Sequence, residues 1–126
     1  MPAWLLKTEP STYALADLRK EKRTRWDGVK NAAALLNLRK MAVGDQVLIY
    51  HTGNEKAVVG VARVFTADPT DGVVTLEYEK TLKRPVPLAE IKADPAFKEF
   101  ALVKISRLSA MPVTADHWRR ILKLGS

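Results

Sequence analysis

The chain has 126 residues, 47% of them hydrophobic and 28% charged. That balance predicts one globular domain over residues 1–126 with its own core, and it excludes a disordered chain. The absence of cysteine excludes disulfides, thiolate metal ligands and cysteine nucleophiles. The net charge of +7 sits mostly in residues 1–40, with nine Lys and Arg against four Asp and Glu, while the rest holds twelve against ten.

A basic field of this kind points to a polyanion, nucleic acid first. The cluster Arg19, Lys20, Lys22, Arg23, Arg25 and Lys30 carries most of it and is the candidate contact to a phosphate backbone; the bland alternative is a solvated face. No apolar run approaches the roughly 20 residues of a membrane span. The start MPAWLLKTEP lacks the apolar core of a signal peptide. The expectation is a cytoplasmic or nucleoid-associated monomer with no membrane partner.

In chain order, Trp4-Leu5-Leu6-Lys7-Thr8 reads as an opening strand that stops before Pro10, which has no N–H to give a ladder. Leu15 and Leu18 predict a short helix from about Ala14 to Glu21. Trp26-Asp27-Gly28 then reads as a tight corner. A helix capped by Asn31 follows through Ala32-Ala33-Ala34-Leu35-Leu36, with Leu35, Leu38 and Met41 toward the core. The stretch from Arg23 to Arg39 is the focus of the chain, because an indole can stack on a base, Asp and Asn can read a base edge, and Arg and Lys can meet phosphate. The same residues also suit a core tryptophan at a turn.

Gln46–His51 predicts a buried strand and Thr52-Gly53-Asn54 a tight turn. Ala57–Phe65 predicts a strand with a bulge or close approach at Gly60, and Asp68–Gly72 a hairpin loop. Val73–Leu82 predicts a strand that Pro85 and Pro87 break, with a helical turn over Pro87–Ile91 and another at Asp94–Phe97. A last strand is expected over Leu102–Leu108, ended by Ser109 and Pro112, and a last helix capped by Thr114, with Trp118, Ile121 and Leu122 in one stripe. The architecture predicted is α+β, with five or six mostly antiparallel strands in a small barrel-like sheet flanked by short helices.

Catalytic signatures are scarce. The chain has no HExxH, no glycine-rich phosphate loop and no GxSxG elbow. Its two histidines, His51 and His117, cannot make a dense metal site, so neither a metal nor another cofactor is expected. His117 is expected at the surface. His51, ending a strand beside Tyr50, is a candidate ligand contact with a structural role as its alternative.

The segments WLLKTEPSTYALADL, TRWDGVKNAAALLNLRKMAVGDQVLIYHTG and KISRLSAMPVT run in one order and include K-T-E-P, R-W-D-G-V, Y-H-T and R-L-S-x-M-P. Together they resemble the EVE domain family over nearly the whole chain. The resemblance implies a PUA-like fold, akin to that of the YTH domains, as a small mostly antiparallel β-barrel. It also implies a non-enzymatic module that recognises a modified base, a modified cytosine in DNA or a methylated base in RNA, in an aromatic pocket. Carried over by position, Trp26 is an aromatic wall and Asp27, Gly28 and Val29 form a rim. Lys7, Thr8, Asn31, His51 and Thr52 supply polar contacts, and Arg107, Leu108 and Ser109 close the far side. One departure stands out: Ala32, Leu35 and Leu36 replace the tyrosine, arginine and asparagine common in the family. The alternatives are an ASCH-like ribonuclease using Lys7, Thr8 and Tyr50, and a structural protein-interaction domain.

Overall fold

The computed structural model describes residues 2–27 and 29–126. Along them run β1 (Ala3–Thr8), α1 (Leu15–Glu21), β2 (Arg23–Trp26), α2 (Ala32–Lys40), β3 (Gln46–His51), β4 (Ala57–Asp68), β5 (Val73–Pro87), α3 (Leu88–Ala93), a 3₁₀ turn at Pro95–Phe97, α4 (Ala101–Lys104), β6 (Ala110–Val113) and α5 (Ala115–Leu124). The class is α+β, as expected. The strands form one sheet in the order β2-β5-β4-β3-β1-β6. β1 is parallel to β3, and every other neighbouring pair is antiparallel.

The barrel expected from the sequence is not closed. Among the described residues no ladder joins β2 to β6, the two edges of the sheet. Helix α2 packs instead against β6 and β5, and Asn37 Nδ2 donates a 2.7 Å hydrogen bond to the Ala110 carbonyl. The sheet still curls strongly. Register shifts fall at Ile49/Tyr50 between β3 and β4, and at Val58/Gly60, Val61/Ala62 and Val64/Thr66 between β4 and β5. Each such irregularity bends its strand and adds local twist. Trp26 of β2 consequently reaches Tyr13, in the loop after β1, although β1 lies at the other end of the strand order.

Trp4-Leu5-Leu6 of β1, Val47–Tyr50 of β3 and Ala57–Ala62 of β4 are buried without interruption. Unbroken burial is the mark of strands covered on both faces. The buried Trp4 indole N–H donates to Asp45 Oδ2 at 3.0 Å, and the Ala42 N–H donates to the same oxygen at 2.9 Å. The buried Asp45 carboxylate is thereby satisfied.

Several local expectations are corrected. Arg23–Trp26, leading into the expected Trp26-Asp27-Gly28 corner, is the edge strand β2, paired with β5 from Arg23↔Glu77 to Trp26↔Val74. Pro85 does not end β5, which runs on to Pro87, the residue that precedes α3. Residues between Thr81 and Val86 lie in the irregularity opposite Val58/Gly60, where exposed Pro85 owes no ladder bond. The strand expected over Leu102–Leu108 is instead α4 and a turn, with the Lys104 and Ile105 N–H groups donating to the Phe100 and Ala101 carbonyls. The last strand is β6, whose Pro112 is exposed on the edge of the sheet, where proline is tolerated. On α2 the buried stripe is Ala34, Leu38 and Met41, with Leu35 only half-buried over Gly72.

His117, expected at the surface, is buried. Its ring packs 5.2 Å from Phe97 and 5.0 Å from Phe100, centroid to centroid, and Nε2 bonds the Ala96 carbonyl at 2.9 Å.

Gly60 permits a close approach of α1 and β5 to β4. A β-carbon there would run into Leu15 Cδ2 of α1 and lie 2.8 Å from the Lys80 carbonyl oxygen. The second contact is backbone, so no rotamer change relieves it. Gly60→Ala is expected to destabilise the protein by about 1–3 kcal/mol, read by equilibrium urea unfolding. A variant as stable as the parent would show that β4 and β5 can part freely at this point.

Candidate functional site

Because Pro10 ends the ladder, the chain after Thr8 turns away from the sheet. The Thr12 and Tyr13 N–H groups both donate to the Glu9 carbonyl at 2.9 Å, and Thr8 Oγ1 donates to the Tyr13 carbonyl at 2.6 Å. Tyr13 is thus pinned between β1 and α1. Its hydroxyl donates to the Glu21 carboxylate at the far end of α1. Its ring meets Trp26 edge-on, with centroids 6.1 Å apart and planes at 84°, an arrangement favoured by the ring quadrupoles.

The half-buried Trp26 faces a cavity of about 620 Å³ between the end of β1 and the edge strand β2. Lys7, Thr8, Glu9, Thr12 and Tyr13 form one side; Thr24, Arg25, Trp26, Asp27, Val29, Lys30 and Asn31 form the other, and Ser109 closes an end. Both signs of charge are present. Burial lowers the Lys7 ammonium, which donates to the Ser106 carbonyl at 2.8 Å. Hydrogen bonds from the Ser11 hydroxyl (3.0 Å), the Ser11 N–H (3.3 Å) and the Thr52 hydroxyl (3.0 Å) hold the Glu9 carboxyl below its usual range. Arg25 Nε lies 3.6 Å from Asp27 Oδ2. Asn31 caps α2, its Oδ1 accepting from the Ala34 N–H at 3.0 Å, and that bond leaves the amide nitrogen as a donor.

Of the contacts expected from the sequence, Lys7, Thr8, Trp26, Asp27, Val29, Asn31 and Ser109 lie together in this lining. Arg25 and Lys30, expected on the phosphate backbone, line it too. Gly28 lies outside the described residues. His51 lies outside the lining. Its buried ring is occupied at both nitrogens: Nε2 accepts from the Leu15 N–H at 3.0 Å, serving the first turn of α1, and Nδ1 meets Glu55 at 2.6 Å. Thr52 faces a second, smaller recess. Leu108 is buried in the core and Arg107 is exposed, neither of them in the lining. Ala32, Leu35 and Leu36 also stand outside it, with Leu36 57% exposed.

Glu9, Thr12, Tyr13 and Thr24 were missed by the sequence reading. Glu9-Pro10 signals a strand end, which hides the carboxylate's second use. The alternation of exposed Arg23 and Arg25 with half-buried Thr24 and Trp26 was the available sign of β2, and so of Thr24. Arg19, Lys20 and Lys22 are exposed on α1 and its C-cap. Arg23 is tied to the sheet by Glu77 at 2.9 Å and lies 3.8 Å over the Phe65 ring. Among the described residues no three His, Asp or Glu side chains are gathered to hold a metal, and no helix is long and apolar enough to cross a membrane.

An open, curled α+β sheet with a cavity between the end of β1 and the edge strand β2 is the architecture of a PUA-like domain. The EVE domain model matches residues 2–124, and the chain belongs to that family. Thymocyte nuclear protein 1 of Danio rerio is 27% identical over 96% of this chain and 71% of its own length. The structure of Rpa0253 from Rhodopseudomonas palustris is 38% identical, with a TM-score of 0.92 over 99% of this chain and 93% of that one. Human THYN1, crystallised in complex with 5-methylcytosine-containing DNA, shares the fold at a TM-score of 0.90 over 100% of this chain and 98% of that one, with 24% identity.

The Tyr13 hydroxyl offers a test of the cavity wall. Burial first, then the Glu21 carboxylate beside it, push it from its usual 10.0 up to about 12. Its folded value exceeds its unfolded one, so its contribution to stability is complete below pH 10.0 and is lost as pH rises through about 12. Over that window urea midpoints should fall more steeply for the parent than for Tyr13→Phe. Burial also raises Tyr50, which affects both proteins alike. Parallel curves would mean that Tyr13 titrates as it does in the unfolded chain.

Proposed function

We propose that this domain binds nucleic acid and takes one base, turned out of its strand, into the cavity beside Trp26, where a modified cytosine is recognised. The observation that carries this reading is the half-buried indole facing a cavity whose lining also holds two carboxylates. A volume of about 620 Å³ falls within the roughly 300–1,000 Å³ typical of small-ligand sites. An aromatic face stacks on any base. Specificity comes from the polar groups: ionised Glu9 and Asp27 only accept, and the exocyclic amine of cytosine donates. The fold shared with a human protein crystallised on 5-methylcytosine-containing DNA supports the same reading.

Affinity for the strand comes from the surface. Arg19, Lys20, Lys22 and Arg23 are exposed beside the cavity's β2 wall, and Arg25 and Lys30 reach its rim. Their contacts to phosphate release counterions and make binding salt-dependent. The domain acts as a reader that leaves the strand intact.

Trp26→Ala should weaken binding of an oligonucleotide carrying 5-methylcytosine by about 1–3 kcal/mol, the usual worth of one stacking platform. Calorimetric titration measures it, with thermal melting as the control. Equal affinity in a folded variant removes Trp26 from the site, and a collapse in melting temperature makes it a core residue instead.

Glu9 should set the choice of base. Replacing a charge-assisted hydrogen bond by a neutral one in Glu9→Gln is expected to cost cytosine nucleosides about 1 kcal/mol and uracil nucleosides nothing. An unchanged preference for cytosine over uracil in the variant would show that the Glu9 carboxylate does not read the base.

A further inference from the structure

A second recess of about 280 Å³ adjoins the base cavity, and the two share Lys7 in their linings. We propose that this recess is a phosphate site, filled, on the base-binding reading above, by a phosphodiester flanking the extruded nucleotide. Its lining includes Lys7, Tyr50, Lys56 and Lys92, together with Thr52 and Ser106, and holds no carboxylate.

The Tyr50 side chain is the first reason. It is only 3% exposed and lines the recess, yet among the described residues its hydroxyl has no hydrogen-bond partner. No side-chain polar atom among the described residues is both buried and unpartnered, so this hydroxyl is reached from the recess and is free to donate to a group that enters it. Burial raises this hydroxyl above its ordinary value, so it stays protonated and is available as a donor.

The three ammonium groups are the second reason. They come from separate elements, Lys7 from β1, Lys56 from the turn between β3 and β4, and Lys92 from α3. Among the described residues none of them has a carboxylate within salt-bridge distance. Three lysines from separate elements along one recess raise the local positive field there, which favours an anion.

Local backbone geometry keeps the recess in place. Lys56 has a φ of +46°, in the left-handed region that a residue with a β-carbon seldom occupies. Its carbonyl accepts from the Leu88 N–H at 2.8 Å, which ties the turn to the start of α3 and brings Lys56 to the helix that carries Lys92. Lys7 pairs with Tyr50 across the parallel ladder and lies 5.7 Å over its ring.

Donor chemistry then selects the ligand. Ammonium groups and a phenol O–H all donate, whereas phosphate oxygens only accept. A base edge or sugar hydroxyl would bring donors of its own. Since Lys7 lines both spaces, a phosphate in the recess lies next to a base in the cavity, the order in which a nucleotide presents them.

The test uses the whole chain and amide NMR titrations at constant ionic strength with inorganic phosphate, 5-methyldeoxycytidine and its two monophosphates. Phosphate should move the resonances of Thr52, Gly53, Lys56 and Lys92 to saturation. Tyr50→Phe should weaken that binding about tenfold or more, the loss of a hydrogen bond to a charged group, and Lys56→Gln/Lys92→Gln should abolish it. Nucleoside binding should survive both changes. One monophosphate should bind more tightly than the nucleoside, and the double variant should lose that gain.

Phosphate that moves none of these amides, or only those of Arg19, Lys20 and Lys22, overturns the proposal whatever the nucleoside does. Phosphate binding in the recess with no gain for either monophosphate overturns the assignment to the strand and leaves a site for free phosphate. Failure of the nucleoside to bind, with phosphate titrating normally, sinks the base-binding reading but not this site.

Discussion

The curl of the sheet is the constraint on which the site depends. Four register irregularities lie along β4, and each adds bend and twist to the longest part of the sheet. The curl needs close packing where Gly60 admits Leu15 from α1 above a backbone carbonyl of β5. With it, the β2 edge comes round to the end of β1; a flat sheet would leave Trp26 and Lys7 on opposite sides of the molecule. Among the described residues the two edges do not pair, and α2 packs against β6 and β5, with the bond from Asn37 to the β6 edge. An open seam of this kind is where a cavity can persist, because a completed ladder would fill it with backbone.

Within the seam, polar groups that serve the fold also equip the site. Thr8 holds the Tyr13 backbone, Tyr13 positions Trp26, and the Tyr13 hydroxyl ends on Glu21. Asn31 caps α2 with one side-chain atom and keeps the other for the cavity. Glu9 is oriented by Ser11 and Thr52. Such preorganisation lowers the ordering cost of binding. The mixture of charges distinguishes this cavity from the neighbouring recess: carboxylates and cations together suit a neutral base with donors and acceptors, while cations and an unpartnered phenol suit an oxyanion.

His51 shows how a chemically suggestive residue is absorbed by structure. A histidine at a strand end beside a tyrosine has the look of a ligand contact. In the fold, β3 carries its ring beneath the start of α1, where an orphan helical N–H needs an acceptor. Nothing near His51 in sequence announces that need, because Leu15 is far away along the chain. His117 is similar: its cap by Thr114 was legible, but its burial against Phe97 and Phe100 required the 3₁₀ turn to fold back onto α5.

The sequence by itself determined the elements whose signals are local. Apolar runs placed β1, β3 and β4; Asn31, Asp94 and Thr114 announced the elements they cap; Gly53 and Gly72 marked the turns where φ is positive. It also singled out Trp26, Asp27 and Asn31, whose residue types suit the chemistry of a base, while Lys7 entered through the family resemblance. Only the tertiary structure decided what those signals were used for. β2 is too short and too charged to declare itself, and it exists as a strand because Val73–Glu77, some fifty residues on, supplies its ladder. The same holds for β6, which a proline would exclude from any but an edge, and for Glu9, Tyr13 and Tyr50, whose neighbours come from other strands. Patterns along a chain act over a few residues, whereas the curl that joins the sheet's edges is set by pairings between distant segments.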